Sequence, residues 1–94
     1  MDCPIKKIEY GVGFERYLKR YLKRIPTGER ISVFNLLEIF SKNAFDQKLK
    51  THKLHGKMSD KFAFSLNRKD RIIFRFVSSD HVLLLDIGDH DIYQ

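Results

Sequence analysis

The sequence predicts an α+β fold, in which an N-terminal strand and a two-helix hairpin precede a three-stranded antiparallel meander. The chain has 94 residues, which is the length of one domain, so we assign residues 1–94 to a single domain. Apolar residues recur at helical spacing between residues 14 and 41, whereas they alternate with polar residues after residue 61. Elements in this order place both helices on one face of the sheet.

The first two elements are a short strand and an amphipathic helix. Residues 5–10 mix β-forming residues with lysines, which are typical of an edge strand because their charge opposes pairing with another chain. Gly11 and Gly13 end this strand. The helix that follows has a basic outer side, and its apolar positions are Phe14, Tyr17, Leu18, Tyr21, Leu22 and Ile25. The turn at residues 26–28 ends it.

A second helix is predicted from about Glu29 to Ser41. Its expected apolar stripe consists of Ile31, Phe34, Leu36 or Leu37, and Phe40. Because the turn before it is short, the two helices should form a hairpin that covers one face of the sheet. Residues 44–59 show no period, and we expect an ordered loop there with a helical turn around residues 46–50.

The last third of the chain is predicted to be the meander, with strands at 62–66, 71–76 and 82–87. The apolar run of the third strand is nearly continuous, which indicates a central position. The residues expected to face the helices are Phe62, Phe64, Leu66, Ile72, Phe74 and Phe76. Those that alternate with them, and therefore face away, are Ser65, Asn67, Arg71 and Arg75. We call this second side of the sheet the outer face, and the pattern predicts that it is polar and cationic.

Composition limits the classes of partner and compartment. Lys and Arg number 18 against 12 Asp and Glu, a formal charge of +6, which favours a polyanionic partner: nucleic acid, an acidic membrane surface or an acidic protein. The single cysteine, Cys3, excludes an internal disulfide and is consistent with a reducing cytoplasm. No apolar run has the length of a membrane span, and the N-terminus lacks the apolar region of a signal peptide.

Three groups of residues have side chains suited to cleaving RNA without a metal: the loop at 52–57, Arg71 and Arg75 on a strand, and the segment 88–93. Such cleavage needs a base for the ribose 2′-hydroxyl, an acid for the leaving oxygen, and cations for the charge on phosphorus. Histidine serves as acid or base near neutral pH, and arginine is a planar double donor for phosphate. We expect no metal and no cofactor, because the histidine spacing is not that of a zinc site.

Four segments resemble the RelE/ParE superfamily of toxins, with the greatest similarity to its YafQ-like branch. They are residues 52–57, 62–66, 70–76 and 84–93, and their order and spacing extend the resemblance over essentially the whole chain. The resemblance implies a small sheet against a helical hairpin, and an endoribonuclease that cleaves messenger RNA, usually in the ribosomal A site. It also implies a cytoplasmic protein that a cognate antitoxin wraps around and inhibits.

Carried over position by position, the resemblance makes His52 and His90 the acid and base, in an order that stays open. It makes Arg71 the residue that stabilises the phosphate. The residues it implies in RNA binding are His55, Lys57, Arg75 and Tyr93. The chain departs from the YafQ-like pattern in three places: Ser65 stands where that branch has a histidine, and Asp86 stands where it has an arginine. The turn at residues 67–70 does not clearly match the acidic residue and tryptophan of that branch.

Two alternatives remain open. A toxin related to ParE, which inhibits DNA gyrase and is not a nuclease, would share the fold and the antitoxin partner, although His52 and His90 argue against it. A nucleic-acid-binding module without activity would use the outer face and the basic helix for phosphates alone. A membrane-surface role is disfavoured, because the basic helix has no exposed apolar side to give to lipid.

Overall fold

The computed structural model of the chain describes residues 2–89. The α-helices and strands in this part are β1 (Lys7–Tyr10), α1 (Phe14–Lys23), α2 (Thr27–Lys42), β2 (His52–Lys53), β3 (Phe62–Ser65), β4 (Arg71–Ser78) and β5 (His81–Gly88). Two short 3₁₀-helices, Gln47–Leu49 and Gly56–Met58, lie before and after β2. Among the residues described, no helix is both long and apolar enough to cross a bilayer.

The strands form one mixed sheet in the order β1-β5-β4-β3-β2. β1 runs parallel to β5, and the other neighbours are antiparallel, so the predicted meander of β3, β4 and β5 is confirmed. The edge position of β1 and the central position of β5 are also as predicted. The strand β2 was not predicted, because two residues are too few to show an alternating pattern.

The helices pack on one face of this sheet around a core of aromatic side chains. The Phe40 ring stacks on that of Phe64 at 4.5 Å between centroids, and it meets the ring of Phe74 edge-on at 4.9 Å. All three side chains are fully buried. The six residues expected to face the helices all belong to this core or pack against it, so that prediction is confirmed. Offset and edge-on pairs of this kind add to the stabilisation that burial provides.

The first helix packs as its spacing predicts. Phe14, Leu18 and Tyr21 are buried in the core, and its remaining apolar residues are half-buried against it. Gly13 precedes the helix with φ of 83°, a left-handed conformation that glycine adopts without strain. A Cβ atom at this position would also lie 3.0 Å from the ring of Tyr17. The glycine therefore sets the angle at which the chain enters α1.

The predicted apolar stripe of α2 is only partly correct. Phe40 is buried as expected, but Ile31 and Phe34 are 58% and 53% exposed, and Val33 is buried in their place. Apolar residues lie on several sides of this helix, so their spacing does not identify the side that faces the sheet. The prediction was wrong because a stripe through Ile31 and Phe34 and a stripe through Val33 both have helical spacing.

The outer face is less polar than predicted. Leu54 from the segment after β2 covers Ala63 and Ile73, and these three buried residues form a second apolar cluster with Met58 and Leu85 packed against it. The prediction of a polar face is therefore wrong at its centre, because a loop covers it. The polar part of the outer face is confined to the margins of this cluster.

Candidate active site

The strand register brings His52 and Arg71 to the same face of the sheet. His52 lies opposite Ala63 on β3, which in turn lies opposite Ile73 on β4. One pleat away on the same face, Ser65 lies opposite Arg71. Directly opposed residues project to the same side of a sheet, so His52 and Arg71 both project from the outer face.

The turn between β3 and β4 is held by one asparagine. The Asn67 side-chain oxygen accepts hydrogen bonds from the backbone amides of Lys69, at 3.0 Å, and Asp70, at 2.8 Å. The amide of Leu66 donates to the carbonyl of Asp70 at 2.9 Å, which closes the turn. A side chain that replaces backbone partners in this way fixes the turn geometry.

A buried carboxylate ties this turn to α1. Asp70 is 6% exposed, and its Oδ2 accepts hydrogen bonds from the Tyr21 hydroxyl at 2.6 Å and from Asn67 Nδ2 at 3.1 Å. Burial, together with the bond to the Asp70 carboxylate, raises the pKa of Tyr21 well above its usual value. The pair therefore joins the first helix to the start of β4.

The Arg71 guanidinium is fixed against the same turn. Its Nη1 donates to the carbonyls of Asn67 at 2.8 Å and Asp70 at 3.0 Å, and its Nη2 donates to the carbonyl of Arg68 at 3.2 Å. A guanidinium has five N–H groups, so those on Nε and the second on Nη2 have no partner among residues 2–89. Arg71 is thus a positioned cation with two N–H groups available to a ligand.

A cleft of about 330 Å³ opens beside Arg71, and we call it the basic cleft. Four cations line it, from the first 3₁₀-helix and its end, the β3–β4 turn and the start of β4: Lys48, Lys50, Arg68 and Arg71. Its polar lining is Ser65 and Asn67, and its apolar wall is Leu36 and Leu66. In the part of the chain described, no carboxylate lines this cleft. Converging cations without a compensating carboxylate attract anions.

His52 does not line the basic cleft but the separate depression over Leu54 and Met58, and it is linked to the cleft through the backbone of Lys50. Its Nδ1 is 3.1 Å from the carbonyl oxygen of Lys50, whose side chain lines the cleft. Because a carbonyl oxygen only accepts hydrogen bonds, Nδ1 carries the proton, and Nε2 of the neutral ring has a free lone pair. The side chain is exposed. The exposed imidazole therefore lies two residues along the chain from Lys50, one of the cations that line the cleft.

The other expected RNA-binding residues do not line the basic cleft. His55 lines, together with His52, the separate, shallow depression over the apolar cluster, and Lys57 is exposed on the second 3₁₀-helix. Arg75 is four residues along β4 from Arg71, a distance of about 13 Å. His90 and Tyr93 lie outside the residues that the structure describes.

Ser65 and Asp86, which depart from the YafQ-like pattern, have different surroundings. Ser65 lines the basic cleft opposite Arg71. Asp86 lies opposite Ile73, and its Oδ1 accepts a hydrogen bond from the amide of Ile87 at 2.8 Å. Asp86 is not part of the cleft lining.

Sequence reasoning missed three of the cleft residues: Lys48, Lys50 and Arg68. The two lysines flank Leu49, which is fully buried, but one apolar residue in an aperiodic loop does not by itself indicate a site. In residues 2–89, no group of three or more potential ligands is placed to hold a metal ion.

No protein-family model matches the sequence, and no curated protein matches it. Solved structures do match. YafQ from E. coli strain BL21(DE3) has a TM-score of 0.69 at 16% identity, over 92% of this chain and 94% of that one. The YoeB/ParE toxin from Agrobacterium tumefaciens has a TM-score of 0.69 at 15% identity, over 89% and 98% of the two chains.

A third match is a structure of the E. coli DinJ-YafQ toxin-antitoxin complex, with a TM-score of 0.68 at 17% identity over 94% of this chain and 97% of that one. Together these similarities confirm the fold that the resemblance to the RelE/ParE superfamily implied. At such identities they establish the fold alone.

Proposed function

We propose that the chain is the toxin of a type II toxin-antitoxin system and that it cleaves messenger RNA without a metal ion. The fold it shares with YafQ and with the YoeB/ParE toxin supports the first part. One observation carries the second: the exposed ring of His52 contacts the backbone of Lys50, whose side chain lines the basic cleft, where a phosphodiester would be attracted.

In the proposed reaction His52 is the general base. Its Nε2 takes the proton of a ribose 2′-hydroxyl, the 2′-oxygen bonds to phosphorus, and the bond from phosphorus to the 5′-oxygen breaks. Protonated His90 donates its proton to the leaving 5′-oxygen. The products are a 2′,3′-cyclic phosphate and a 5′-hydroxyl end. The two remaining N–H groups of Arg71 donate to the phosphate oxygens as negative charge develops there, and Tyr93 stacks on a base.

The proposal includes two partners. One is a cognate protein antitoxin, in line with the complexes that YafQ forms with DinJ. The other is messenger RNA, bound in the A site of the 70S ribosome in the cytoplasm. His55, Lys57 and Arg75 are proposed to contact RNA outside the cleft, since none of them lines it.

The test is to induce the chain in bacteria without antitoxin and to map the 5′ ends of messenger RNA. Wild type should arrest growth and produce new cleavages in reading frame. His52→Gln should cleave slower by about a hundredfold or more, since a general base contributes on this scale. His81→Gln is the matched control, because the His81 imidazole is bonded to Glu9 at 2.9 Å and does not line the cleft.

Three results would contradict the proposal in different ways. Growth arrest with intact transcripts would exclude the ribonuclease and indicate the gyrase alternative. Undiminished cleavage by His52→Gln would remove His52 from the role of base, and undiminished cleavage by His90→Ala would remove His90 from that of acid. Cleavage that stops in EDTA, or that leaves no 2′,3′-cyclic phosphate, would exclude the metal-independent mechanism.

A further inference from the structure

The basic cleft contains more positive charge than the proposed reaction uses. The reaction assigns a role to Arg71 alone among its four cations. Lys48, Lys50 and Arg68 come from two segments far apart in sequence, and the fold brings them together on the same cleft. Cations placed close together repel one another, so such convergence is favourable where an anion binds between them.

The two lysines are held by an unusually constrained turn. Lys50 has φ of 52° and ψ of 38°, and it is the one residue other than glycine with positive φ in the described part of the chain. The turn is fixed by buried Leu49, by Asp46 Oδ1 accepting from the Lys48 amide at 2.9 Å, and by the Thr51 hydroxyl donating to the carbonyl of Ala44 at 2.6 Å. A lysine kept in a conformation that favours glycine indicates a role for its side chain.

The backbone of the third cation, Arg68, is also held. Arg68 belongs to the turn that Asn67 closes, and its carbonyl accepts a hydrogen bond from Arg71 Nη2 at 3.2 Å. Asn67 is itself bonded to the buried Asp70 carboxylate. The backbone on both sides of the cleft is therefore held before any ligand binds, which lowers the backbone entropy lost on binding.

We infer that Lys48, Lys50 and Arg68 bind the phosphate of a nucleotide next to the one that is cleaved. The cleft lining supports a neighbouring position: Lys50 lines the cleft together with Ser65, which lies two residues along β3 from Ala63, the partner of His52. The cleft volume of about 330 Å³ suits a group of nucleotide size. Leu36 supplies an apolar wall for the sugar or base. The inference rests on the proposed function for its class of ligand.

The test uses the full chain, labelled with nitrogen-15, and adenosine 3′,5′-bisphosphate as the probe. Wild type should show saturable shifts of the amides of residues 48–51 and 66–71. Replacing both lysines, Lys48→Gln with Lys50→Gln, should weaken binding by about tenfold or more, since hydrogen bonds to charged groups are worth this much. The matched control replaces two lysines of α1, Lys19→Gln with Lys23→Gln, and should change the affinity by less than about twofold.

Lys50→Gly distinguishes weaker binding caused by loss of the charge from weaker binding caused by loss of the fold. Glycine relieves the left-handed conformation, so the melting temperature should rise by about 2–4 °C while binding weakens by about fivefold. Lys50→Asn, which tolerates the same conformation, should also lose affinity. A variant that bound less only because it had lost its fold would instead melt at a lower temperature.

Shifts confined to α1, no saturable shift at all, or unchanged affinity in the double lysine variant would each overturn the inference. Saturable binding of an acidic peptide of glutamates, with none of the bisphosphate, would overturn it in favour of a protein ligand. Failure of the proposed function has a separate signature. Bisphosphate binding at the cleft in a protein that cleaves no RNA would contradict the nuclease and leave this site intact.

Discussion

Two regions of the molecule carry the same charge in different ways. The basic cleft is lined by four cations from separate segments, and the exposed side of α1 also presents four: Arg16, Lys19, Arg20 and Lys23. On α1 they follow from a helical repeat along one element. Lys19 there bonds Glu15 at 3.4 Å with both side chains about 70% exposed. In the cleft, hydrogen bonds within the protein fix the surrounding backbone and one guanidinium.

The comparison shows that the number of cations does not identify a site. Exposed charges on a helix are screened by salt and free to reorient, and pairs such as Glu15 with Lys19 contribute only about 0.3–0.5 kcal/mol. In the cleft, cations that start from held backbone segments around a concave wall converge on one ligand. The hydrogen bonds of Asn67 and Asp70 are therefore what distinguishes the cleft, and the following changes test that distinction.

The largest effect is expected from Asp70→Ala, which should lower the free energy of unfolding by about 3 kcal/mol. The change leaves the buried Tyr21 hydroxyl and Asn67 Nδ2 without their shared acceptor. Urea unfolding measures the effect, with Glu15→Ala as an exposed acidic control that should change by less than about 0.5 kcal/mol. A loss below about 1 kcal/mol for Asp70→Ala would show that the turn is held by other contacts.

A smaller loss, about 2 kcal/mol at pH 7, is expected for Tyr21→Phe, because one hydrogen bond to a charged group is removed while Asn67 still donates to Asp70. Urea unfolding again measures it. The ring of Phe fills the same space as that of Tyr21. A larger loss than for Asp70→Ala would therefore contradict the conclusion that Tyr21 stabilises the fold mainly through its hydrogen bond to Asp70.

The contribution of Tyr21 should also depend on pH. Its pKa is raised in the folded protein, first by burial and then by its bond to Asp70, whereas in the unfolded chain it is about 10. The stabilisation is therefore complete below about pH 10 and is lost as the pH rises toward the folded pKa. The difference in unfolding free energy between wild type and Tyr21→Phe should shrink above about pH 10. A difference that stayed constant to pH 11 would mean that Tyr21 ionises normally.

Arg71→Lys tests whether the fixed guanidinium matters beyond its charge. A lysine keeps the charge but cannot donate to three turn carbonyls and to a phosphate together. The rate of RNA cleavage should fall by about tenfold, equivalent to about 1.4 kcal/mol. Arg75→Lys is the matched change on the same strand, outside the cleft, and should have a smaller effect. Equal losses in the two variants would remove the distinction between cleft and surface.

The fold was predictable because its elements have clear periods. The helical spacing of apolar residues from Phe14 to Ile25 identified the buried side of the first helix. The alternation around Phe64 and Phe74 identified the side of the sheet that faces the helices, and both predictions are confirmed. The second helix was not predictable in the same way. Its apolar residues fit two stripes, and only tertiary packing selects Val33 over Phe34.

The site was less predictable than the fold. Arg71 and His52 could be selected by residue type and by resemblance, since each has chemistry suited to RNA. Lys48 and Arg68 could not, because their proximity depends on how the loop after α2 crosses to β3. The path of this loop cannot be predicted from its sequence, because its apolar residues have neither a helical nor a strand period.

The smallest effect is expected for the α1 surface, where Lys19→Gln with Lys23→Gln should change RNA cleavage by less than about twofold in 0.15 M salt. The two side chains lie on the solvent side of one helix, and the 3.4 Å pair with Glu15 is lost without exposing any core residue. Lowering the salt to 0.01 M should enlarge the difference, because screening then weakens over about 30 Å. A tenfold loss at 0.15 M would show that α1 binds RNA directly, and the two basic regions would then be parts of one surface.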